Sequence, residues 1–228
     1  LRSGDPDLRR MAARDLIGFP AATQALGDQL QVEEDPQALD SIMNTLGCLG
    51  TPEAVELLLP CLRSSDPFRR NQAIEVLKGL PQVVAPFIED LLADPDPDVR
   101  IFTVNVLESL KHPRVVSWLI EVIQTDQHIN VCATALDLLV ELADESCLPA
   151  LYEAAKRFPN EPYFEFTINM AIDSVLEGIG VAAGTAFDPV QFDRRCEVIA
   201  VMAASEVPGD LEVSDHVSVS FCEGTRHR

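Results

Sequence analysis

The sequence predicts an all-α fold: an α-α superhelix of about six helix pairs with a short non-repeating C-terminal extension. Three observations support this prediction. An Asp-Pro or similar motif recurs about every 30 residues, and side chains at fixed distances behind it repeat their chemical type. In addition, 47% of the 228 residues are hydrophobic while only 6% are aromatic. Such a composition is typical of stacked helices that make many modest contacts.

The recurring motif marks the start of each helix pair. It reads Asp-Pro-Asp-Leu-Arg at 5–9, Asp-Pro-Phe-Arg-Arg at 66–70 and Asp-Pro-Asp-Val-Arg at 96–100. Counted at the proline or its equivalent, the six anchors lie at positions 6, 36, 67, 97, 127 and 162. Ten residues behind them stand Leu16, Leu46, Leu77, Leu107, Asp137 and Ile172. A column at a constant offset is what stacked units need, because each unit presents the same side chain to its neighbour.

Each anchor has a local reason to begin a helix. An Asp side chain caps the first backbone N–H groups, and acids favour the positive end of the helix dipole. Proline is tolerated at the first helical position because its missing N–H would have no acceptor within the helix. The spacing predicts first helices over 6–17, 36–48, 67–79, 97–110, 127–142 and 162–177. Stop signals near their ends are expected at Gly18, Gly47, Gly50 and Gly79.

A second helix follows in most units after a short turn. Its expected starts are Pro20, Thr51-Pro52, Pro81, Pro113 and Asp144-Glu145. Three further prolines are expected inside second helices, where each removes a backbone hydrogen bond and should kink or shorten the helix. These are Pro60, Pro86 and Pro149.

The units resemble HEAT repeats, in particular the short bacterial and archaeal kind also found in phycobilisome (bilin) lyases. The resemblance rests on the Asp-Pro-x-x-Arg opening with a small residue three positions later and a Leu four beyond that, and it covers about residues 1–178. It implies a right-handed solenoid in which Asp and Arg of neighbouring units form a ladder of hydrogen bonds and ion pairs. By position, the ladder residues are Asp5, Arg9, Asp66, Arg70, Asp96 and Arg100. Leu39 and Asn130 replace the arginine in the second and fifth units, so interruptions of the ladder are expected there.

The period ends near Glu177, which divides the chain into three predicted parts. These are the repeat array over 1–178, a connector of mostly small residues over 179–188 and a C-terminal extension over 189–228. The extension begins with a stretch, 189–206, that is expected to form a helix and cap the open end of the array. From Leu211 to Phe221 apolar and polar residues alternate, as in a strand. A frayed tail, a short hairpin and a strand donated to a partner are the three interpretations of this last part.

The charge of the chain argues against two classes of partner. With 37 Asp and Glu against 17 Lys and Arg, the formal net charge is −20. Nucleic acid and anionic membrane surfaces both call for a basic face, so neither is expected to bind. Charged residues interrupt every apolar run, so no membrane span is expected either. Six widely spaced cysteines without a Cys-x-x-Cys pair predict buried thiols in a cytoplasmic protein, at positions 48, 61, 132, 147, 196 and 222.

No catalytic, metal or cofactor site is predicted. None of the four histidines belongs to a His-Glu dipeptide, the recurring motif of the iron-binding HEAT-repeat hydroxylases. No glycine-rich phosphate loop is present, and each of the cysteines that could act as a nucleophile lies in an apolar helical context.

Acids and aromatic residues of the second helices indicate where a partner would bind. In HEAT arrays the second helices line the concave side, and acids there would attract a basic or extended segment of a partner protein. The candidate residues are Glu53, Glu56, Glu89, Asp90, Trp118, Glu121, Tyr152 and Glu153. An ordinary solvated face is the competing interpretation of these acids.

The expected function is therefore that of a non-enzymatic scaffold or adaptor for a protein partner. A bilin-lyase-like enzyme subunit is the first alternative, on the family resemblance alone. A regulatory domain of a larger bacterial signalling protein is the second, because the chain begins at Leu1 rather than at Met.

Overall fold

Eleven α-helices and no strand make up residues 1–180, the part of the chain that the computed structural model describes. In chain order they are α1 Pro6–Asp15, α2 Thr23–Val32, α3 Pro36–Leu49, α4 Pro52–Leu58, α5 Pro67–Lys78, α6 Pro81–Leu92, α7 Pro97–Leu107, α8 Val115–Thr125, α9 Ile129–Leu142, α10 Leu148–Ala155 and α11 Pro162–Gly178. Three short 3₁₀ helices accompany them, at Pro20–Ala22, Leu59–Arg63 and Glu145–Cys147.

The helices form two layers, as an α-α superhelix requires. The first helices α1, α3, α5, α7, α9 and α11 pack one against the next in chain order. Each of the second helices α2, α4, α6, α8 and α10 packs beside the first helices of its own or the following unit. Residues 1–180 hold five complete pairs and the first helix of a sixth, and the predicted fold class is confirmed. Leu46, Leu77 and Leu107 of the predicted apolar column are fully or almost fully buried between the layers.

Aspartate caps begin four of the first helices, as the sequence predicts. Asp5, Asp66 and Asp96 each accept a hydrogen bond from the backbone N–H two residues later, at 2.9 to 3.0 Å. Asp35 accepts two bonds, from the backbone N–H groups two and three residues later, at 3.1 and 2.9 Å. Each cap is followed by the proline that opens the helix, so the recurring Asp-Pro motif sets the boundaries of the units.

The fifth unit begins two residues later than predicted. Asp126 does not cap a helix that starts at 127; instead its carboxylate accepts hydrogen bonds from Arg100 and from the backbone N–H of His128. His128 therefore occupies the cap position, and α9 starts at Ile129. With this start the apolar column is complete, because the residue ten positions behind Ile129 is the fully buried Leu139.

Two of the four glycines predicted to end helices, Gly47 and Gly50, have different roles in α3. Gly50 ends α3 in the left-handed conformation, with a φ of 58°, as a C-terminal cap. Gly47 lies inside α3, so its prediction as a stop signal is wrong. A Cβ atom at Gly47 would lie 2.6 Å from Cγ1 of Val76 in α5, so this glycine permits close packing of two first helices.

The three second-helix prolines have three different outcomes. Pro60 shortens its helix as predicted, because α4 ends at Leu58 and the chain continues as a 3₁₀ helix. Pro86 lies inside α6 without shortening it, since that helix runs through from Pro81 to Leu92. Pro149 lies in the first turn of α10, where its missing N–H needs no partner. The prediction that it lies inside a second helix is therefore wrong.

Predictions for the C-terminal part of the chain concern mostly residues beyond 180. Residues 181–188 of the connector, the capping helix at 189–206 and the alternating segment at 211–221 lie outside the described residues.

Candidate protein-binding groove

A groove opens between the second helices α6 and α8. These two helices are the least closely packed of the successive second helices, and the space between them has a volume of about 140 Å³. The groove is lined by Glu89, Leu92, Ala93, Glu121, Val122, Thr125 and Asp126. Glu89 and Glu121, two of the acids predicted to bind a partner, thus border a single site.

Helical spacing explains why acids and apolar residues share this groove. On α6, Leu92 follows Glu89 by three residues, and on α8, Val122 directly follows Glu121. Residues three or four apart lie on one helix face, so α6 presents a carboxylate beside an aliphatic side chain, whereas on α8 the adjacent Val122 lies on the buried side of Glu121. Glu89 and Glu121 are exposed, whereas Val122 is 4% exposed. The result is an apolar floor between two solvated carboxylates.

Glu89 already has a cationic partner within the protein. Its carboxylate forms an ion pair with the Arg114 guanidinium, which lowers the pKa of Glu89. The same guanidinium lies 4.9 Å from the centroid of the Trp118 ring, and His112 stacks on that ring at 5.0 Å. Arg114 and His112 therefore cover the indole, and Arg114 links it to Glu89.

Trp118 and Tyr152 are not exposed anchors, contrary to the prediction. Trp118 is 1% exposed and Tyr152 is 6% exposed, so neither ring is available to a partner without rearrangement. The indole N–H of Trp118 is buried near Glu89 and, after Arg114, contributes to the lowered pKa of that carboxylate. The physical reason for the burial is packing, since both aromatic side chains lie on the apolar faces of their helices.

The other predicted acids are exposed on second helices outside the groove. Glu56 on α4 and Asp90 on α6 are exposed. Glu153 on α10 is exposed and pairs with Lys156 at 2.8 Å. Glu53 stands in the first turn of α4, where its own backbone N–H and then the Thr51 hydroxyl lower its pKa. These four extend the acidic second-helix surface, but the structure does not place them in the same cavity as Glu121.

Two of the predicted ladder arginines pair with acids that the sequence analysis did not single out. Arg9 donates through Nε and Nη2 to the Glu33 carboxylate, at 2.7 and 2.6 Å. Arg100 binds Asp126 in the same two-pronged way, at 2.6 and 2.9 Å. The cap aspartates of the same motifs receive no side-chain hydrogen bond from these arginines. Each pair instead joins the first helix of a unit to the end of its own second helix.

The third unit departs from this arrangement. Arg70 donates to the backbone carbonyl of Ser64 at 2.6 Å rather than to an acid. The acid in the corresponding place, Asp94, pairs with Arg63. These arginine–acid pairs therefore use two kinds of arginine, one inside the motif and one before it, and of the three pairs only Arg63–Asp94 links neighbouring units.

A shared position explains the three acids that the sequence analysis missed. Glu33, Asp94 and Asp126 each precede a helix cap by two residues and accept its backbone N–H, at 3.1, 2.9 and 2.8 Å. A carboxylate in that position forms a local turn, which is a recognisable signal once the units are aligned. Their arginine partners lie 24 to 31 residues away and are invisible to local patterns. Asp126 also lines the groove, and Arg100 neutralises it there.

Three of the four described cysteines are buried, as predicted. Burial raises the thiol pKa of Cys61 and Cys147, and it raises that of Cys132 to about 11. Cys48 is exposed, so the prediction of a buried thiol is wrong there, because this residue lies on the outer side of α3 near its C-terminal end. All four are free thiols.

Two other kinds of site are absent from residues 1–180. No group of three or more His, Cys, Asp or Glu side chains in that range is placed to hold a metal ion. No helix in the same range has the length and apolar character needed to cross a bilayer.

The sequence matches the protein family described as HEAT repeats over residues 1–78 and 84–162. A search of curated proteins finds no significant relative of the sequence.

Several solved structures resemble the chain at low sequence identity. Human deoxyhypusine hydroxylase in complex with glycerol shares 18% identity over 77% of this chain and 82% of its own, with a TM-score of 0.42. An engineered protein shares 17% identity over 78% of this chain and 94% of its own, with a TM-score of 0.38. The CpcE–CpcF complex of phycocyanin lyase from a Nostoc species shares 20% identity over 90% and 91%, with a TM-score of 0.33. At these identities and TM-scores, no activity, ligand or partner transfers to this chain.

Proposed function

Because the chain belongs to the HEAT-repeat family, we propose that it is a non-enzymatic scaffold or adaptor that holds a basic, extended segment of a partner protein. The proposed site is the groove between α6 and α8. A solenoid suits this task because it offers much surface per residue. The observation that supports the proposal most directly is that Glu89 and Glu121, from two neighbouring second helices, border one apolar-floored groove.

The size of the groove favours a peptide side chain over a bound small molecule. Its volume of about 140 Å³ is below the roughly 300 to 1,000 Å³ of typical small-molecule sites. A lysine or arginine side chain suits the lining, because its aliphatic stem can lie on Leu92 and Val122 while its charge stays with a carboxylate. A tetrapyrrole chromophore is far larger than this space, so the groove itself does not suit a bilin.

Glu121 is the carboxylate expected to receive that charge. Glu89 is engaged by Arg114, and Asp126 is engaged by Arg100. Glu121, by contrast, forms no ion pair with any residue from 1 to 180 and is exposed at the groove. Acids on the neighbouring second helices add a long-range attraction that steers a basic segment towards this face.

The test is an affinity purification from the source organism with matched neutral variants. Glu121→Gln removes the charge at the groove, and Glu56→Gln removes an exposed charge of the same kind on α4, outside it. We expect the wild type and Glu56→Gln to capture a common partner, and Glu121→Gln to lose most of it. Capture by the wild type should weaken at high salt, because screening shortens the range of the attraction.

The proposal fails if Glu121→Gln captures the same proteins as the wild type at both salt concentrations. It also fails if Glu56→Gln loses the partner to the same extent, since the groove would then have no special role.

A further inference from the structure

Helix α11 exposes a row of large apolar side chains. Tyr163, Phe166 and Met170 are 61%, 62% and 44% exposed. They are three and four residues apart, which places them along one face of the helix over about two turns. We call these three residues the α11 stripe. Aromatic side chains bury a large area, so leaving two of them in water is unfavourable unless something covers them.

The other first helices show that the repeat fold does not require this stripe. Its members lie one, four and eight residues behind the first residue of α11, and the same three positions can be read in every earlier unit. There they hold Asp7, Arg10 and Arg14 in α1; Gln37, Asp40 and Asn44 in α3; Phe68, Asn71 and Glu75 in α5; Asp98, Ile101 and Asn105 in α7; and Asn130, Ala133 and Asp137 in α9. No earlier helix has more than one apolar residue in the set.

The surroundings of the stripe are acidic. The segments of α9 and α11 contain no Lys or Arg, and they contain Asp137, Glu141, Glu165, Asp173 and Glu177. The Tyr163 hydroxyl donates to the Asp137 carboxylate at 3.3 Å, so an acid of α9 borders the stripe directly. Glu177 stands in the last turn of α11, where the helix dipole is already negative and a base would be the stabilising choice. Glu165, in the first turn, stabilises the helix, whereas Glu177 does not.

From these observations we propose that the α11 stripe is a docking surface for a basic amphipathic helix of another protein. Such a helix would pack apolar side chains at the same spacing against Tyr163, Phe166 and Met170, and its flanking Lys or Arg would meet the surrounding carboxylates. The proposal concerns a surface in the first-helix layer and is independent of the α6–α8 groove.

Charge complementarity selects this occupant over two others. Residues 181–228 of the chain hold eight acids and four bases, so that segment carries the wrong net charge for an acidic surface. A second copy of the chain, docked by a two-fold axis, would place the same acids opposite each other. Like charges in apposition disfavour the contact, whereas a basic helix removes the repulsion.

The binding test uses the 228-residue chain and two synthetic helical peptides, one of leucine and lysine and one of leucine and glutamate in the same order. The stripe variant is Phe166→Asn with Met170→Asn, because asparagine occupies those positions in α5 and in α3 and α7. The control variant is Phe68→Gln, which removes an exposed aromatic residue from α5 and installs the residue of α3. Far-ultraviolet circular dichroism verifies that each variant is folded.

We expect the leucine–lysine peptide to bind the wild type and Phe68→Gln equally, measured by fluorescence anisotropy. The stripe variant should bind it about tenfold more weakly or worse, since exposed aromatic residues at the centre of an interface dominate affinity. Equal binding by the stripe variant, no binding by the wild type, or equal binding of the leucine–glutamate peptide would each overturn the proposal.

A photo-cross-linking arm identifies what covers the stripe. With p-benzoylphenylalanine in place of Phe166 in the full chain, irradiation in the presence of the leucine–lysine peptide should join protein and peptide. A cross-link to residues 181–228 of the same chain, or to a second copy, would overturn the proposal and name the alternative occupant.

Discussion

Replacing Glu33 by Gln tests the ion pair that ties α1 to the end of α2. The Glu33 side chain is fully buried and that of Arg9 is only 14% exposed. The carboxylate accepts hydrogen bonds from Arg9, from Gln29 and from the backbone N–H of Asp35. The hydrogen bond from Arg9 is the largest cause that lowers the pKa of Glu33 from 4.5 to about 2.

The size of the effect follows from that pKa. One pKa unit corresponds to about 1.4 kcal/mol, so ionised Glu33 contributes about 3 kcal/mol to the free energy of unfolding at neutral pH. Because the folded-state pKa is below the unfolded one, this contribution is fully present above pH 4.5 and is lost as the pH falls towards 2. Glu33→Gln should therefore cost about 3 kcal/mol at pH 7, and the variant and wild type should converge near pH 2.

The measurement is urea unfolding followed by circular dichroism at pH 7 and near pH 2. Glu34→Gln is the matched control, because it makes the same chemical change at an exposed neighbouring acid. Hydrogen exchange should locate the loss of protection in the first unit, since stability in a repeat array is largely a sum of local terms. The reasoning is refuted if Glu33→Gln lies within about 1 kcal/mol of the wild type at pH 7, or if the difference persists unchanged near pH 2.

Two further predictions concern packing and thiol reactivity. Gly47→Ala should lower the stability by about 1 to 2 kcal/mol in thermal melting, because the clash with Val76 outweighs the gain in helix propensity. Gly4→Ala is its control, since a Cβ there meets nothing within 4 Å, and equal melting of the two variants would contradict the prediction. Cys132, with a thiol pKa of about 11, should react with iodoacetamide at mildly alkaline pH much more slowly than the exposed Cys48. Peptide mass spectrometry measures both rates, and similar rates would show that Cys132 is accessible.

The sequence predicts the first helices well because their start signals are local. Asp-Pro pairs start four of them at the predicted residue, and Pro162 starts a fifth. The one shifted start occurs where the motif lacks its proline. There the Asp126 carboxylate accepts a hydrogen bond from Arg100, 26 residues away, and a local sequence pattern does not reveal that contact.

The exposure of the predicted acids can be read from the sequence more easily than the burial of the predicted aromatic residues, for a physical reason. The helix register alone shows which acids of a second helix are exposed, so the exposure of Glu89 and Glu121 can be predicted from the sequence. Tryptophan is enriched at interfaces, but the position of Trp118 between Val115 and Val122 continues the buried face of α8. The wide spacing of α6 and α8 that creates the groove depends on tertiary packing and has no local signal.

The acids behind the net charge of −20 are of two kinds. Some cap helices or pair with arginines, and others are free to attract a partner. Asp5 and Asp66 are helix caps whose charge is offset by helix dipoles, while Glu33 and Asp126 are paired with arginines inside the array. Those carboxylates contribute to stability and offer little to a partner. Glu121 neither caps a helix nor forms an ion pair with any residue from 1 to 180. The salt dependence of partner capture should therefore change when Glu121 is neutralised and stay constant when a cap aspartate is replaced by asparagine, which caps a helix as well without the charge.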